Sequence, residues 1–348
     1  MADIAKRFVE NPILRPADIR PSIAGMKVEC LLNPGVFRFD NKTWLLLRVA
    51  ERPEQRTGTT SFPILAASGK LEILEFDNSD PKLNLADPRV INYDGKDFLT
   101  TMSHLRLVAS EDGINFREDP SYPPMLGRGE LESYGIEDCR VTQIGATYYL
   151  TFTEVSEHGV GVGLRTTTDW RDIRQHGMIL PPHNKDCAIF GEQIGGKYYA
   201  LHRPSSPFLG GNYIWLAESP DLLHWGSHRC IAHSRSGMWD AARVGAGAAP
   251  IRTPAGWLEI YHGADANHRY CLGALLLDLE APWKVLARSR EPIMEPVADY
   301  ERTGFFGNVV FTNGHVVDGD TLTLYYGASD SVICGARLSI EEILLSLR

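Results

Sequence analysis

The chain has 348 residues, 43% of them hydrophobic and 23% charged, and a formal net charge of -9. That is the profile of a soluble globular protein with one large domain or two ordinary ones. The acidic balance argues against nucleic acid and anionic membrane as partners, while leaving room for a local basic pocket that holds a small anion. The six cysteines, Cys30, Cys139, Cys187, Cys230, Cys271 and Cys334, are scattered without a CxxC pair. They read as reduced thiols rather than as a disulfide frame or a zinc site. The charged start "MADIAKRFVENPIL" lacks the apolar core of a signal peptide, and no apolar run approaches the about 20 residues that span a membrane. The expectation is a cytoplasmic protein.

In chain order, "ADIAKRFVE" is read as a helix within a short N-terminal arm over about residues 1–20. Such an arm is a candidate for packing across a neighbouring subunit in a homo-oligomer. After it, short apolar runs alternate with turn residues. "GVFRFDNKTWLLLRVAE" is strand, Asp40-Asn41 turn, strand; "DPRVINYDGKDFLTTM" repeats this around Asp94-Gly95, a strong hairpin signal. "DCRVTQIGATYYLTF" turns at Gly145 and "CAIFGEQIGGKYYALHRP" at Gly195-Gly196. "GAAPIRTPAGWLEIYHGA" turns at Pro254 and Gly256, and "NVVFTNGHVVDGDTLTLYYGA" at Asp318-Gly319. Further strands follow turns such as "ASEDGINF" and "AESPDLLHW". The closing "LSIEEILLSLR" predicts a helix over about 338–348.

Hairpins recurring at roughly 40- to 60-residue spacing predict a repeat of four short strands, the pattern of a β-propeller. A β-sandwich lacks this longer period, and the unequal repeats disfavour a solenoid. We read 1–348 as a single all-β catalytic domain. In a propeller, the first strand of each blade lines the central channel. Polar and charged groups gather at those strand starts: Asn33, Asp87 and Arg89, Asp138 and Arg140, Lys185 and Asp186, Asp240 and Arg243. Strand alternation places Asp138 and Arg140 on one face and Glu137 on the other. The pattern predicts a polar funnel, with a salt-bridged strand end as the plainer alternative.

Six segments together resemble glycoside hydrolase family 130, the mannoside phosphorylases and β-1,2-mannosidases. They are "NPGVFRFDNKTWLLLRVAE", "GIEDCRVTQIGATYYLTFTEVSEHG", "NKDCAIFGEQIGGKYYALHRP", "WDAARVGAGAAPIRTPAGWLEIYHGAD", "YCLGALLLDLEAPWKVLARSREPIMEP" and "FFGNVVFTNGHVVDGDTLTLYYGASD". The resemblance covers nearly the whole chain and implies a five-bladed β-propeller. The count here is six hairpin-bearing segments, so the first and last are expected to combine in one closing blade. The family's general acid lies in a D-x-R strand start. Both Asp138 of "EDCR" and Asp87 of "DPR" fit that pattern, and the flanking "GIEDCRVTQIGATYYLTFTE" selects Asp138.

By the same resemblance, the phosphate cluster falls on Lys185, Arg203, Arg243 and His262, and sugar contacts fall on Asn33, Arg48 and Asp330. Lys185 stands where some relatives have arginine, keeping the charge but losing the bidentate fork. Asp87, Tyr134, Arg140 and Asp240 complete the expected substrate-binding set. Trp239, Tyr270, Phe305 and Phe306 could stack sugar rings, with inter-blade packing the favoured reading for the two phenylalanines and Tyr134 the better stacking candidate. The family is also held to pass the acid's proton through a hydroxyl of the bound mannose.

The chemistry distinguishes two outcomes. Inverting hydrolysis needs an acid and a base that activates water. Phosphorolysis needs only the acid, because phosphate arrives already anionic, plus cations to hold it. Retention of Lys185, Arg203, Arg243 and His262 suits phosphate. The expected reaction is phosphorolysis of β-1,2-linked mannobiose or mannooligosaccharides to α-mannose 1-phosphate, with inorganic phosphate as co-substrate and no metal or cofactor. The alternatives are an inverting β-1,2-mannosidase using Glu192 or Glu259 as base, a non-catalytic carbohydrate-binding propeller, and a furanosidase-type enzyme with three carboxylates on separate blades.

Overall fold

The computed structural model describes residues 3–66, 68–87, 90–205 and 209–347, and of Asp87 only the backbone. The chain is all-β: five larger antiparallel sheets account for most of its strands. In the first, Met26–Phe39, Lys42–Pro53, Met102–Ser110 and Arg117–Glu118 pair in that order. In the second, Ile136–Ile144, Thr147–Ser156, Gly159–Thr167 and Arg174–Leu180 form a meander. The third runs Asn184–Ile189, Tyr198–Pro204, Ile214–Ser219 and Gly226–Ala232. The fourth is built on Arg243–Gly245, Gly256–Ala264, Tyr270–Leu277 and Val285–Arg288, with Ile251–Thr253 at its side. The fifth joins Val310–Asp318, Thr321–Ala328 and Val332–Ser339 to an N-terminal strand, Lys6–Arg7.

Apolar residues lie between consecutive sheets. One buried cluster joins the first sheet to the second through Phe37, Trp44, Leu46, Ile136 and Phe152. Others join second to third, third to fourth and fourth to fifth. A last cluster packs Leu31, Leu45 and Val49 of the first sheet against Tyr325 and Ile333 of the fifth. The order of contacts therefore returns to its start. Turn chemistry repeats with the sheets: Asp112, Asp169 and Asp221 each accept backbone N–H groups two and three residues on, an Asx turn between third and fourth strands.

Three expectations need correction. The start of the chain is not helical: Lys6 and Arg7 pair antiparallel with Arg337 and Ala336. Beyond this two-residue strand Phe8 is buried against Tyr325, while Val9 is exposed in a turn, and the open edge of Val332–Ser339 supplies partners that local propensity cannot anticipate. The Asp94-Gly95 hairpin is real but joins no large sheet. It belongs to an insertion between the second and third strands of the first sheet, made of a two-stranded piece (Thr59–Leu65, Leu71–Asp77) and a three-stranded piece (Leu83–Asp87, Val90–Tyr93, Lys96–Leu99). The first and last hairpin segments accordingly stay in separate sheets. The C-terminal helix is present as Ile340–Ser346, its N-cap Ser339 accepting from Glu342 N. No helix among the described residues is long and apolar enough to cross a membrane.

Candidate active site

The innermost strands share a local irregularity. Pairing slips between Leu32 and Gly35, between Glu137 and Arg140, and between Lys185 and Ala188. Inside each slip sits one left-handed residue: Asn33 (φ 30°), Asp138 (φ 50°) and Asp186 (φ 54°). Asn and Asp tolerate that conformation best among residues with a Cβ, and a bulge re-aims the side chain it carries. Asp330, also left-handed (φ 48°), sits in the turn joining Thr321–Ala328 to Val332–Ser339. These side chains converge on a cavity of about 270 Å³, lined also by Arg48, Lys185, Arg203, Arg243, Tyr270, Phe306 and Phe311.

At one side of the cavity, Asp138 Oδ1 accepts from Asn33 Nδ2 and from Arg48, each at 3.1 Å. The same guanidinium donates to Glu137 at 2.7 Å and to Ser103 Oγ at 3.0 Å. Burial alone would push the Asp138 carboxyl up, but Arg48, Arg140 and Lys185 outweigh it and hold the group below the ordinary carboxylate range. Asp330 goes the other way. Burial first, then the Asp138 and Glu137 carboxylates, push it up to about 6 against the pull of Arg48. The pocket thus pushes the pKa values of its two carboxyls in opposite directions.

The opposite side is cationic. Lys185 and Arg203 are direct partners across adjacent strands, a like-charge pairing that costs stability unless an anion relieves it. Asp186 relieves part of it. Its Oδ2 accepts from Arg203 at 2.5 Å and its Oδ1 from Arg140 at 3.1 Å. Burial opposes ionisation of Asp186, yet Arg203 and Arg140 bring it well below the usual range. Arg243 donates to the Tyr270 hydroxyl at 3.0 Å, and its buried Nε has no partner among the described residues. The Lys185 side chain likewise makes no hydrogen bond or ion pair with the described residues, although its backbone is paired with that of Arg203. Four lining cations face three lining carboxyls.

Of the expected site residues, Asn33, Arg48, Asp138, Lys185, Arg203, Arg243 and Asp330 are brought together, and Tyr270 and Phe306 join them. His262 does not line the cavity. It is fully buried behind Asp186, with Nε2 3.3 Å from Asp186 Oδ2 and its ring against Phe311; Gly245 permits this approach, since a Cβ there would lie 2.3 Å from Asp186. Burial keeps the His262 imidazole below its ordinary value.

Arg140 does not itself line the cavity: the slipped register breaks strict alternation, and its buried guanidinium donates to the Gly247, Ala246 and Asp138 carbonyls as well as to Asp186. Asp240 lies elsewhere, buried and bound by Arg235, Arg288 and the Tyr261 hydroxyl. Trp239 packs in the core beside Tyr261. Tyr134 donates to the Asp97 carbonyl at 2.8 Å and lines a separate cavity beside the insertion. Asp87 ends an inserted strand, and its side chain, like all of Arg89, falls outside the described residues.

Sequence reasoning placed Asp186 in the polar funnel without giving it a role, and did not assign Glu137 or Ser103 to the site. Asp186 had a signal: "KDCAI" repeats "EDCRV" one sheet later, aspartate on bulge. Neither of the bases considered for hydrolysis lines the cavity. Glu192 is exposed and paired with Arg252. Glu259 is fully buried, accepts from Gly247 N, and is pushed well above the carboxylate range by burial.

Comparison with known proteins identifies the family. A relative from Listeria innocua, named β-1,2-mannobiose phosphorylase, is 45% identical over 98% of this chain and 98% of its own. A 1,2-β-oligomannan phosphorylase from Thermoanaerobacter is 41% identical over 70% of this chain and 80% of that protein. The solved structure of the Listeria innocua β-1,2-mannobiose phosphorylase in complex with β-1,2-mannobiose superposes with a TM-score of 0.92 at 44% identity, covering 99% of both chains. The model of the family described as β-1,4-mannooligosaccharide phosphorylase matches residues 88–348, and the chain therefore belongs to glycoside hydrolase family 130.

Proposed function

We propose that this protein is an inverting phosphorylase of β-1,2-linked mannobiose and mannooligosaccharides, working in the central funnel of a five-bladed β-propeller. Support for the propeller comes from the five sheets and from apolar clusters that link each to the next and the last to the first. The whole described chain then acts as one catalytic domain. The observation that carries the function is the Lys185–Arg203 pair, in register across two strands and joined by Arg243 on the cavity that Asp138 also lines. Such a cluster fits an oxyanion, and water needs no such host.

In this reading a phosphate oxygen attacks the anomeric carbon. The bond to the glycosidic oxygen breaks, and a proton originating on Asp138 reaches that oxygen. The products are α-mannose 1-phosphate and a mannoside one unit shorter. Arg48 and Asn33 fix the Asp138 carboxyl, and Asp330 contacts the sugar. Inorganic phosphate is the co-substrate, and neither a metal nor an organic cofactor enters the scheme.

The cluster is tested by Arg243→Ala. A hydrogen bond to a charged group contributes about 1.5–3 kcal/mol, so the apparent KM for phosphate should rise at least about tenfold while that for mannobiose moves much less. Sulfate should compete with phosphate in the wild type and lose that competition in the variant. Equal loss for both substrates would assign Arg243 a structural role.

A further inference from the structure

The mouth of the cavity carries an aromatic pair with no partner in the core. Phe305 is 65% exposed and Phe306 42% exposed, although Phe306 lines the same cavity as Asp138. Their loop is held by backbone hydrogen bonds. Phe306 N–H donates to the Ser329 carbonyl at 3.0 Å, and Phe305 N–H to Ser331 Oγ at 2.7 Å. These are the two neighbours of Asp330.

The glycines on either side leave no room for a side chain. A Cβ on Gly304 would lie 2.5 Å from the Ser329 carbonyl oxygen, and one on Gly307 would lie 2.4 Å from the Arg302 carbonyl oxygen. Asn308 accepts from Tyr270 N at 2.9 Å, tying the far end of the loop to a second residue of the cavity. "GFFG" is thus a short loop tied to the two neighbours of Asp330 and, through the adjoining Asn308, to Tyr270, and it leaves both phenyl rings partly exposed.

Large apolar side chains held outward beside a polar pocket mark a binding surface. A rigid ring also loses little freedom when a ligand settles on it. A pyranose suits such a face: the side of the ring bearing axial hydrogens is apolar, and its polarised C–H bonds meet the negative face of the phenyl ring. We propose that Phe306 is the stacking surface for a mannosyl unit of the reacting substrate, and that Phe305 extends this surface to a further unit, making the loop 304–307 the determinant of preference for chains of three or more mannoses. This deepens the phosphorylase reading and rests on it.

The test compares Phe305→Ala and Phe306→Ala with the wild type on β-1,2-mannobiose and β-1,2-mannotriose, in phosphate-dependent turnover and in calorimetric binding of each sugar without phosphate. Phe305→Ala should lower kcat/KM and affinity for mannotriose at least about fivefold more than for mannobiose. Phe306→Ala should weaken both sugars about tenfold, with far less change in the phosphate KM, and Phe306→Tyr should restore binding. Equal effects of Phe305→Ala on the two sugars, or none, would overturn the proposal while leaving phosphorolysis intact. A change of solution mass in Phe305→Ala, with sugar preference unaltered, would assign Phe305 to contact between copies and also overturn it. Absence of phosphate-dependent turnover in the wild type would instead bring down the functional reading beneath it.

Discussion

Asp138 must hold a proton to act as an acid, yet Arg48, Arg140 and Lys185 favour its carboxylate. Phosphate resolves the conflict in the proposed mechanism. A dianion on the cationic side offsets Lys185, the one of the three that faces both the acid and the anion cluster, and Asp138 then takes up its proton as the reaction partner arrives. Lys185→Met removes a cation that lowers the Asp138 pKa, so that pKa rises and the protonated acid persists to higher pH. The alkaline limb of kcat/KM for mannobiose, which reports the free enzyme, should move upward in pH, and the phosphate KM should rise with it. An alkaline limb that stays in place would show that Lys185 does not act on Asp138.

At this scale the sequence revealed residue types better than directions. Asp138 and Asn33 were legible because polar strand starts recur. Arg140 was not, since a bulge with a left-handed aspartate cannot be seen in an alternating pattern, and a slip of one residue reverses the face of every later side chain in the strand. His262 and Asp240 show the same limit: charge identifies a polar contact without saying whether the partner is a ligand or a buried Arg or Asp.

Among the elements, the second sheet contains a charged group that the active site does not use. Arg165, fully buried, donates to Glu132, with its guanidinium over the Phe152 ring. Glu154 lies beside them with one oxygen unpartnered among the described residues. Burial, then the Glu132 carboxylate, push Glu154 up to about 8. The two buried carboxyls therefore titrate as a pair that favours holding one proton, beside a guanidinium that keeps its charge. A folded-state pKa above the ordinary 4.5 means that the native state binds the proton more tightly, so this group's contribution to stability declines as pH rises from about 4.5 to 8. The melting temperature of Glu154→Gln should fall less between pH 6 and pH 9 than that of the wild type, by on the order of a few degrees. An identical fall in both would show that Glu154 does not hold the proton.

The hairpins were legible because Asp-Asn, Asp-Gly and Gly-Gly impose backbone geometry locally. The N-terminal strand was not, because its pairing is a property of the distant Val332–Ser339 edge. The Asp94-Gly95 hairpin carries the same local signal as a large-sheet hairpin, so only tertiary structure assigns it to the insertion.

For the molecule as a whole, net charge of -9 and a cationic funnel coexist because one cavity collects four cations from separate strands. The long period of the sequence was enough to anticipate that convergence, since in the proposed propeller the first strands of the blades face one axis. It could not reveal which inner residues look inward. The central claim is that this funnel delivers phosphate, and not water, to a β-1,2-mannoside. The direct measurement is phosphorus and proton NMR of the protein with β-1,2-mannobiose, with and without inorganic phosphate, beside Asp138→Asn as a control. The account predicts α-mannose 1-phosphate and mannose in equal amounts with phosphate, no cleavage without it, and a roughly 10²–10⁴-fold slower reaction in the variant. Release of free mannose at an undiminished rate without phosphate would contradict it.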